Sequence, residues 1–183
     1  MAEAGRVQPI GSPVSDFSLQ RIGGGVETLE QYAENKRGVV VIFWSGVCSH
    51  CGRYDDYLNR FASRYPELGF VCLASRQNET KEMIGATAET RKLTFPILHD
   101  PDSGVAGRWF AQQTPRAYLL DAKLTLLYRG AIDNFMFPHE PEYVQYLEPA
   151  IEHFLAGKPV PRAETPSFGC DIRSVYYILP KSI

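Results

Sequence analysis

A chain of 183 residues with 44% hydrophobic and 22% charged side chains has the composition of an ordinary globular protein, long enough to bury one sizeable core. Its formal net charge of −2 carries no basic excess, which argues against nucleic acid or an anionic membrane surface as a partner. Four cysteines are too few to staple a scaffold of this length, so reactive use is expected of some of them.

Met1-Ala2-Glu3-Ala4-Gly5-Arg6 lacks the apolar core of a secretory signal, and no later run is long enough to span a bilayer. The expectation is a soluble chain, cytoplasmic as it stands and periplasmic if a signal or anchor has been removed. Gly11 to Leu19 forms an extended lead-in, with Phe17 and Leu19 alternating as on a short strand. Gly23-Gly24-Gly25 reads as a hairpin turn from which Val26 to Leu29 returns.

The unbroken apolar run Val39-Val40-Val41-Ile42-Phe43-Trp44 is rich in β-branched and aromatic types, as expected of a strand buried on both faces. Ser45-Gly46-Val47 makes a turn, Cys48-Ser49-His50-Cys51 follows, and Tyr54, Leu58 and Phe61 continue at helical spacing. Cys48 therefore falls at a helix N-terminus, where unpaired backbone N–H groups and the positive end of the macrodipole favour a thiolate. A protonated His50 nearby stabilises the same anion. Cys51, one turn further on, can reach back to Cys48, and such a pair can accept and return two electrons through mixed disulfides. A zinc site needs four ligands, usually from two such pairs, and the chain has no second pair.

Gly69 to Ser75 reads as another buried strand, with Cys72 a small hydrophobe inside it. Glu79 to Leu93 reads as an amphipathic helix, Phe95 to Asp100 as a short strand ending in a turn, and Ser103 to Ala111 as a helix with Val105, Trp109 and Phe110 inward. His99 is expected to be a solvated loop residue. Thr114-Pro115 opens the apolar strand through Asp121, and Lys123 to Arg129 pairs with it as a hairpin. Tyr143, Leu147, Ile151 and Phe154 recur at helical spacing in a closing helix ended by Gly157. Beyond it, Pro159, Pro161 and Pro166 mark an extended tail in which Val175 to Leu179 could add a strand.

The order strand, Phe43-Trp44, turn, Cys48-x-x-Cys51, helix resembles the active site of the thioredoxin superfamily. Gly11 to Leu19 is similar to the opening of its redoxin branch, which includes alkyl hydroperoxide reductase/thiol-specific antioxidant and TlpA-like proteins. The helix, strand, helix block of residues 79–111 resembles the insert of that branch. The resemblance implies an α/β thioredoxin-like fold over residues 1–157, with a central mixed sheet, an N-terminal hairpin and a C-terminal extension over 158–183. It implies that Cys48 attacks and Cys51 resolves, with no cofactor and no metal. It also implies that Trp44, Thr114 and Pro115 contact substrate, with Pro115 in the cis form. Thr165-Pro166-Ser167-Phe168-Gly169-Cys170 resembles a tail of some peroxiredoxin-like redoxins, leaving two readings of Cys170: a third redox thiol folded back on Cys48, or a free cysteine in a tail.

Departures from plain thioredoxins are informative. Val47 and His50 replace their tryptophan and proline, and Ile42 stands where they bury a carboxylate, so the proton acceptor for Cys51 is unassigned, with water or Glu79 as candidates. His50 resembles the residue of strongly oxidising members, which places the expected potential between about −270 and −120 mV. The implied function is thiol-disulfide oxidoreduction with protein or low-molecular-weight thiols and disulfides, and an upstream reductase. Two alternatives stand beside it. A thiol peroxidase would need the usual Pro-x-x-x-Thr-x-x-Cys pocket, where Val41 and Ser45 stand here. A Cu(I)-binding module would suit thiolates with a nearby imidazole, but usually has a wider cysteine spacing.

Overall fold

The computed structural model describes residues 7–135 and 141–173. β1 (Ser18–Arg21) and β2 (Val26–Thr28) form a hairpin turning through Gly23, Gly24 and Gly25, whose φ values of +98°, +117° and +89° explain the glycines. Directly after it comes α1 (Leu29–Ala33), fixed by a capping box: Thr28 Oγ1 accepts from the Gln31 N–H while the Gln31 side chain accepts from the Thr28 N–H. A single turn carries too little periodicity to be seen in the sequence, where Leu29 reads as the end of a strand.

The remaining elements are β3 (Gly38–Trp44), α2 (Ser49–Gly52), α3 (Asp55–Arg64), β4 (Leu68–Ala74), α4 (Lys81–Thr90), β5 (Ile97–His99), α5 (Gly104–Arg108), β6 (Gln113–Thr114), β7 (Arg116–Asp121), β8 (Leu126–Gly130), α6 (Leu147–Leu155) and β9 (Cys170–Asp171). Seven strands form one mixed sheet in the order β2-β1-β5-β4-β3-β7-β8. β3 pairs in parallel with β4 and antiparallel with β7, so it is central and all seven of its residues are buried.

The alternation of a strand divides the core in two. Val40, Ile42 and Trp44 pack with Cys72, Tyr54, Leu58, Phe61 and Ile151 on the face covered by α3 and α6. Val39, Val41 and Phe43 pack with Leu29, Leu98, Val105 and Trp109 on the other. At roughly 25 cal/mol per Å² of apolar area removed from water, these two layers are the main stabilising contribution.

Several boundaries differ from the sequence reading. The helix expected to run on from Cys48 breaks at Arg53-Tyr54 into α2 and α3. α4 begins at Lys81 because Thr80 caps it, its side chain accepting from the Met83 N–H. The closing helix starts at Leu147, and Tyr143 lies outside it, exposed. His99 is buried in β5 rather than solvated, its Nε2 3.0 Å from the Glu79 carbonyl oxygen. Cys72 is fully buried in the core, where burial pushes its thiol well up. The strand expected at Val175 to Leu179 lies outside the described residues.

Both flanks of the chain run beside β8. The Gly11 N–H donates to the Leu126 carbonyl at 2.8 Å and the Leu126 N–H to that of Ser12 at 2.9 Å. Further along, the Arg129 N–H donates to Ala163 at 2.9 Å and the Thr165 N–H to Arg129 at 3.1 Å. Among the described residues no helix is long and apolar enough to cross a membrane.

Candidate active site

β3 ends at Trp44 and delivers the turn Ser45-Gly46-Val47 to the edge of the core. Glu79, itself buried, holds that turn: the Ser45 hydroxyl donates to Glu79 Oε2 at 2.8 Å and the Gly46 N–H to Oε1 at 2.7 Å. Arg91 holds it from the other side. Its Nη1 donates to the Gly46 carbonyl at 3.0 Å and its Nε to Asp55 Oδ2 at 2.7 Å, tying the turn to the start of α3. Glu79 thus has a bracing role in this geometry, and the sequence contained no signal for its partners because they lie 33 and 34 residues away.

Cys48 is the N-cap of α2, with extended backbone at φ −86° and ψ 113°. Cys51 lies inside that turn, and the two side chains share a hydrogen bond. Both are reduced and buried. Their ionisation differs sharply. Hydrogen bonding from Cys51 pulls the Cys48 thiol down to about 4, against the opposing effect of burial, with further contributions from Cys170 and Thr114. Burial, reinforced by the hydrogen bond and charge of Cys48, holds the Cys51 thiol well above its ordinary value. One sulfur is therefore an anion at neutral pH and its neighbour a proton donor to it.

Opposite the pair lies the Thr114–Pro115 bond, which is cis. The Thr114 carbonyl oxygen is 3.4 Å from Cys48 Sγ, and Thr114 is fully buried. Against β6 runs β9, antiparallel, with Cys170 directly opposite Thr114. The Cys170 thiol is raised to about 11 by burial first and then by its hydrogen bond and proximity to the Cys48 anion. The structure thus brings Cys48, Cys51, Thr114, Pro115 and Cys170 together.

The other residues singled out from the sequence fall differently. Trp44, expected to contact substrate, is fully buried beneath the site. Its ring meets Phe95 edge-on with centroids 6.0 Å apart, and the Arg91 guanidinium lies 5.6 Å from its centroid. It supports the turn from below, because the strand alternation that aims Ile42 inward aims Trp44 inward too. His50 lies on α2 with its ring 6.2 Å from that of Phe168 in the C-terminal tail. The leading causes of the low Cys48 value are the two other thiols, Thr114 and the backbone.

Asp133 belongs to no motif of the sequence. It accepts from the Tyr54 hydroxyl at 2.6 Å and from the Tyr143 hydroxyl at 3.0 Å, fixing the residue that caps the start of α3. Among the described residues no group of three or more His, Cys, Asp or Glu side chains is arranged to hold a metal ion.

Residues 10–129 match the AhpC/TSA family. The chain is 31% identical over 112 residues to the thiol-disulfide oxidoreductase ResA of Geobacillus kaustophilus (strain HTA426), a match covering 61% of this chain and 63% of that protein. The chain thus spans a little under two thirds of that relative's length. A hypothetical protein, SMc02350 of Sinorhizobium meliloti 1021, is 30% identical with a TM-score of 0.79, covering 91% of this chain and 95% of that one. An uncharacterized conserved protein of Geobacillus kaustophilus is 29% identical with a TM-score of 0.80, covering 91% and 92%. The mixed sheet and its helices form a thioredoxin-like fold.

Proposed function

Because the chain belongs to the AhpC/TSA family, we propose that it is a thiol-disulfide oxidoreductase in which Cys48 is the attacking thiol and Cys51 the resolving one. The observation that carries this reading is the split between the two sulfurs, one drawn down to about 4 and the other pushed well up. The likeness to a protein named thiol-disulfide oxidoreductase supports it.

In the reducing direction the Cys48 thiolate attacks one sulfur of a partner disulfide, and the partner's other sulfur leaves as a thiolate. Once Cys48 is in the mixed disulfide it carries no charge, so the electrostatic cause that raises Cys51 is removed. Cys51 then loses its proton and attacks Cys48 Sγ; the partner's second sulfur leaves and the Cys48–Cys51 disulfide forms. Run backwards, the same steps oxidise a dithiol. Pro115 donates no backbone hydrogen bond, which leaves the strand edge at Thr114 for the partner backbone to pair with. Protein or low-molecular-weight disulfides and thiols are the partner class.

The test is an equilibrium titration in glutathione buffers, quenched by alkylation and read by mass at each cysteine. Cys48 and Cys51 should titrate together as a two-electron couple while Cys72 stays reduced. Independent titration of the two sulfurs would remove the mechanism.

A further inference from the structure

The C-terminal tail takes up the position the mechanism reserves for a partner. Its strand β9 lies antiparallel to β6 with Cys170 in register with Thr114. The pairing is held at both ends. The Ile172 N–H donates to the Gln112 carbonyl at 2.9 Å, the Gln77 N–H donates to the Ile172 carbonyl at 2.8 Å, and the Ile172 side chain is buried in the core. Upstream, the Thr165 hydroxyl lies 2.8 Å from that of Tyr128 and accepts from the Ala131 N–H at 3.1 Å, while Arg116 Nη1 donates to Ser167 Oγ at 3.0 Å.

Between these anchors Gly169 lies flat on the Thr114–Pro115 peptide. A Cβ at that position would come within 1.9 Å of the Thr114 carbonyl oxygen, so only glycine permits this approach. Phe168 meets the ring of His50, and the Cys170 thiol hydrogen-bonds to Cys48. Cys48 is left 1% exposed, an unusual state for a thiolate that must meet a second protein.

We propose that the segment from Phe168 to Ile172 is a built-in substrate mimic: it fills the Thr114 edge as a partner strand would and holds Cys170 where the partner's cysteine would sit, ready to form a Cys48–Cys170 disulfide. The proposal rests on the oxidoreductase reading for its direction of exchange, though not for its geometry. Starting from the Cys48–Cys51 disulfide, the Cys170 thiolate attacks Cys48 Sγ. The Cys48–Cys170 bond forms, the Cys48–Cys51 bond breaks, and Cys51 leaves as a thiolate that takes up the proton Cys170 gave up. One disulfide is exchanged for another, so no outside oxidant or reductant is consumed. A partner reaches Cys48 only by displacing the tail, which makes the tail a competitor for that edge and a selector of partners that pair more strongly.

Two measurements test this, neither of which uses Cys51 as a redox group. In the first, Cys51→Ala is equilibrated with oxidised glutathione, quenched in acid and mapped by peptide mass. The expected product is the intramolecular Cys48–Cys170 disulfide, abolished by adding Cys170→Ser. Only glutathionylated Cys48, or disulfide-linked dimers, would overturn the proposal. In the second, alkylation of Cys48 by iodoacetamide is timed in the reduced wild-type protein and in Gly169→Ala. Loss of two or three strand-pairing hydrogen bonds should accelerate alkylation at least about tenfold, and rates equal within about twofold would overturn the occlusion. If these results hold but the wild-type titration shows no Cys48–Cys51 couple, the oxidoreductase reading fails and the tail's docking stands.

Discussion

Replacing Cys170 with alanine perturbs the site through one hydrogen bond, and its effect can be worked out. Cys170 donates its S–H to the Cys48 thiolate and is one of the causes holding that thiol at about 4. A hydrogen bond to a charged group contributes about 1.5–3 kcal/mol, and the weak S–H donor belongs at the lower end. About 1.4 kcal/mol corresponds to one pH unit, so Cys48 in Cys170→Ala should titrate near pH 5. The lost stabilisation belongs to the reduced form, because the thiolate does not exist in the disulfide. The two-electron potential should therefore fall by about 30 mV. The assay is ultraviolet thiolate absorbance across about pH 3 to 9, paired with a glutathione redox titration of both proteins. Wild-type Cys48 titrating near the ordinary value of about 8.5, a variant thiolate titration that does not rise, or a variant potential that does not fall would refute the reasoning.

Three further outcomes are expected. The depressed Cys48 value stabilises the reduced fold fully above the unfolded thiol value of about 8.5 and is lost as pH falls through about 4; the melting temperature of reduced minus oxidised protein should fall over that window, and a flat difference would contradict it. Glu79→Ala strands the Ser45 hydroxyl and the Gly46 N–H and should cost about 3 kcal/mol in urea unfolding, with Glu79→Gln recovering part of it; a cost under about 0.5 kcal/mol would show that the turn is not held by this carboxylate. Trp44→Phe removes a buried indole N–H that has no partner, so its cost should be about 1 kcal/mol, well short of the roughly 3–5 kcal/mol of a truncation to alanine, as chemical denaturation would show.

The elements that were legible in the sequence are those whose pattern is local. The run Val39 to Trp44 announces a doubly buried strand because each residue is apolar, and it is one. The three glycines of the hairpin and Gly157 after the last helix announce positive φ, and all four have it. Cys48 and Cys51 were legible as a pair from their spacing. The features that were not legible depend on contacts distant in sequence. Trp44 was expected to contact substrate by family likeness, yet it packs with Ile42 in the layer under α3 and α6, fully buried. His99 looked solvated because it sits where a short strand gives way to a turn, but its neighbours in space are β4 and the Glu79 carbonyl. The position of Cys170 depended on a return of 56 residues to Thr114, which no periodicity encodes.

The hydrogen bonds that both chain flanks make to β8 have a consequence for solubility. An outermost strand with free N–H and C=O groups is a template on which another molecule's strand can add, and proteins protect such edges. β8 is the last strand on its side of the sheet, and residues 11–12 and 163–165 cover it from either end of the sequence. At the opposite margin β2 is only three residues long, too short to seed much pairing. Cutting the chain before Ala163 would therefore uncover the Arg129 backbone as well as Thr114, and the shortened protein would be prone to sheet-to-sheet aggregation. The single change Gly169→Ala leaves that shield in place, since the bonds to β8 lie upstream of it.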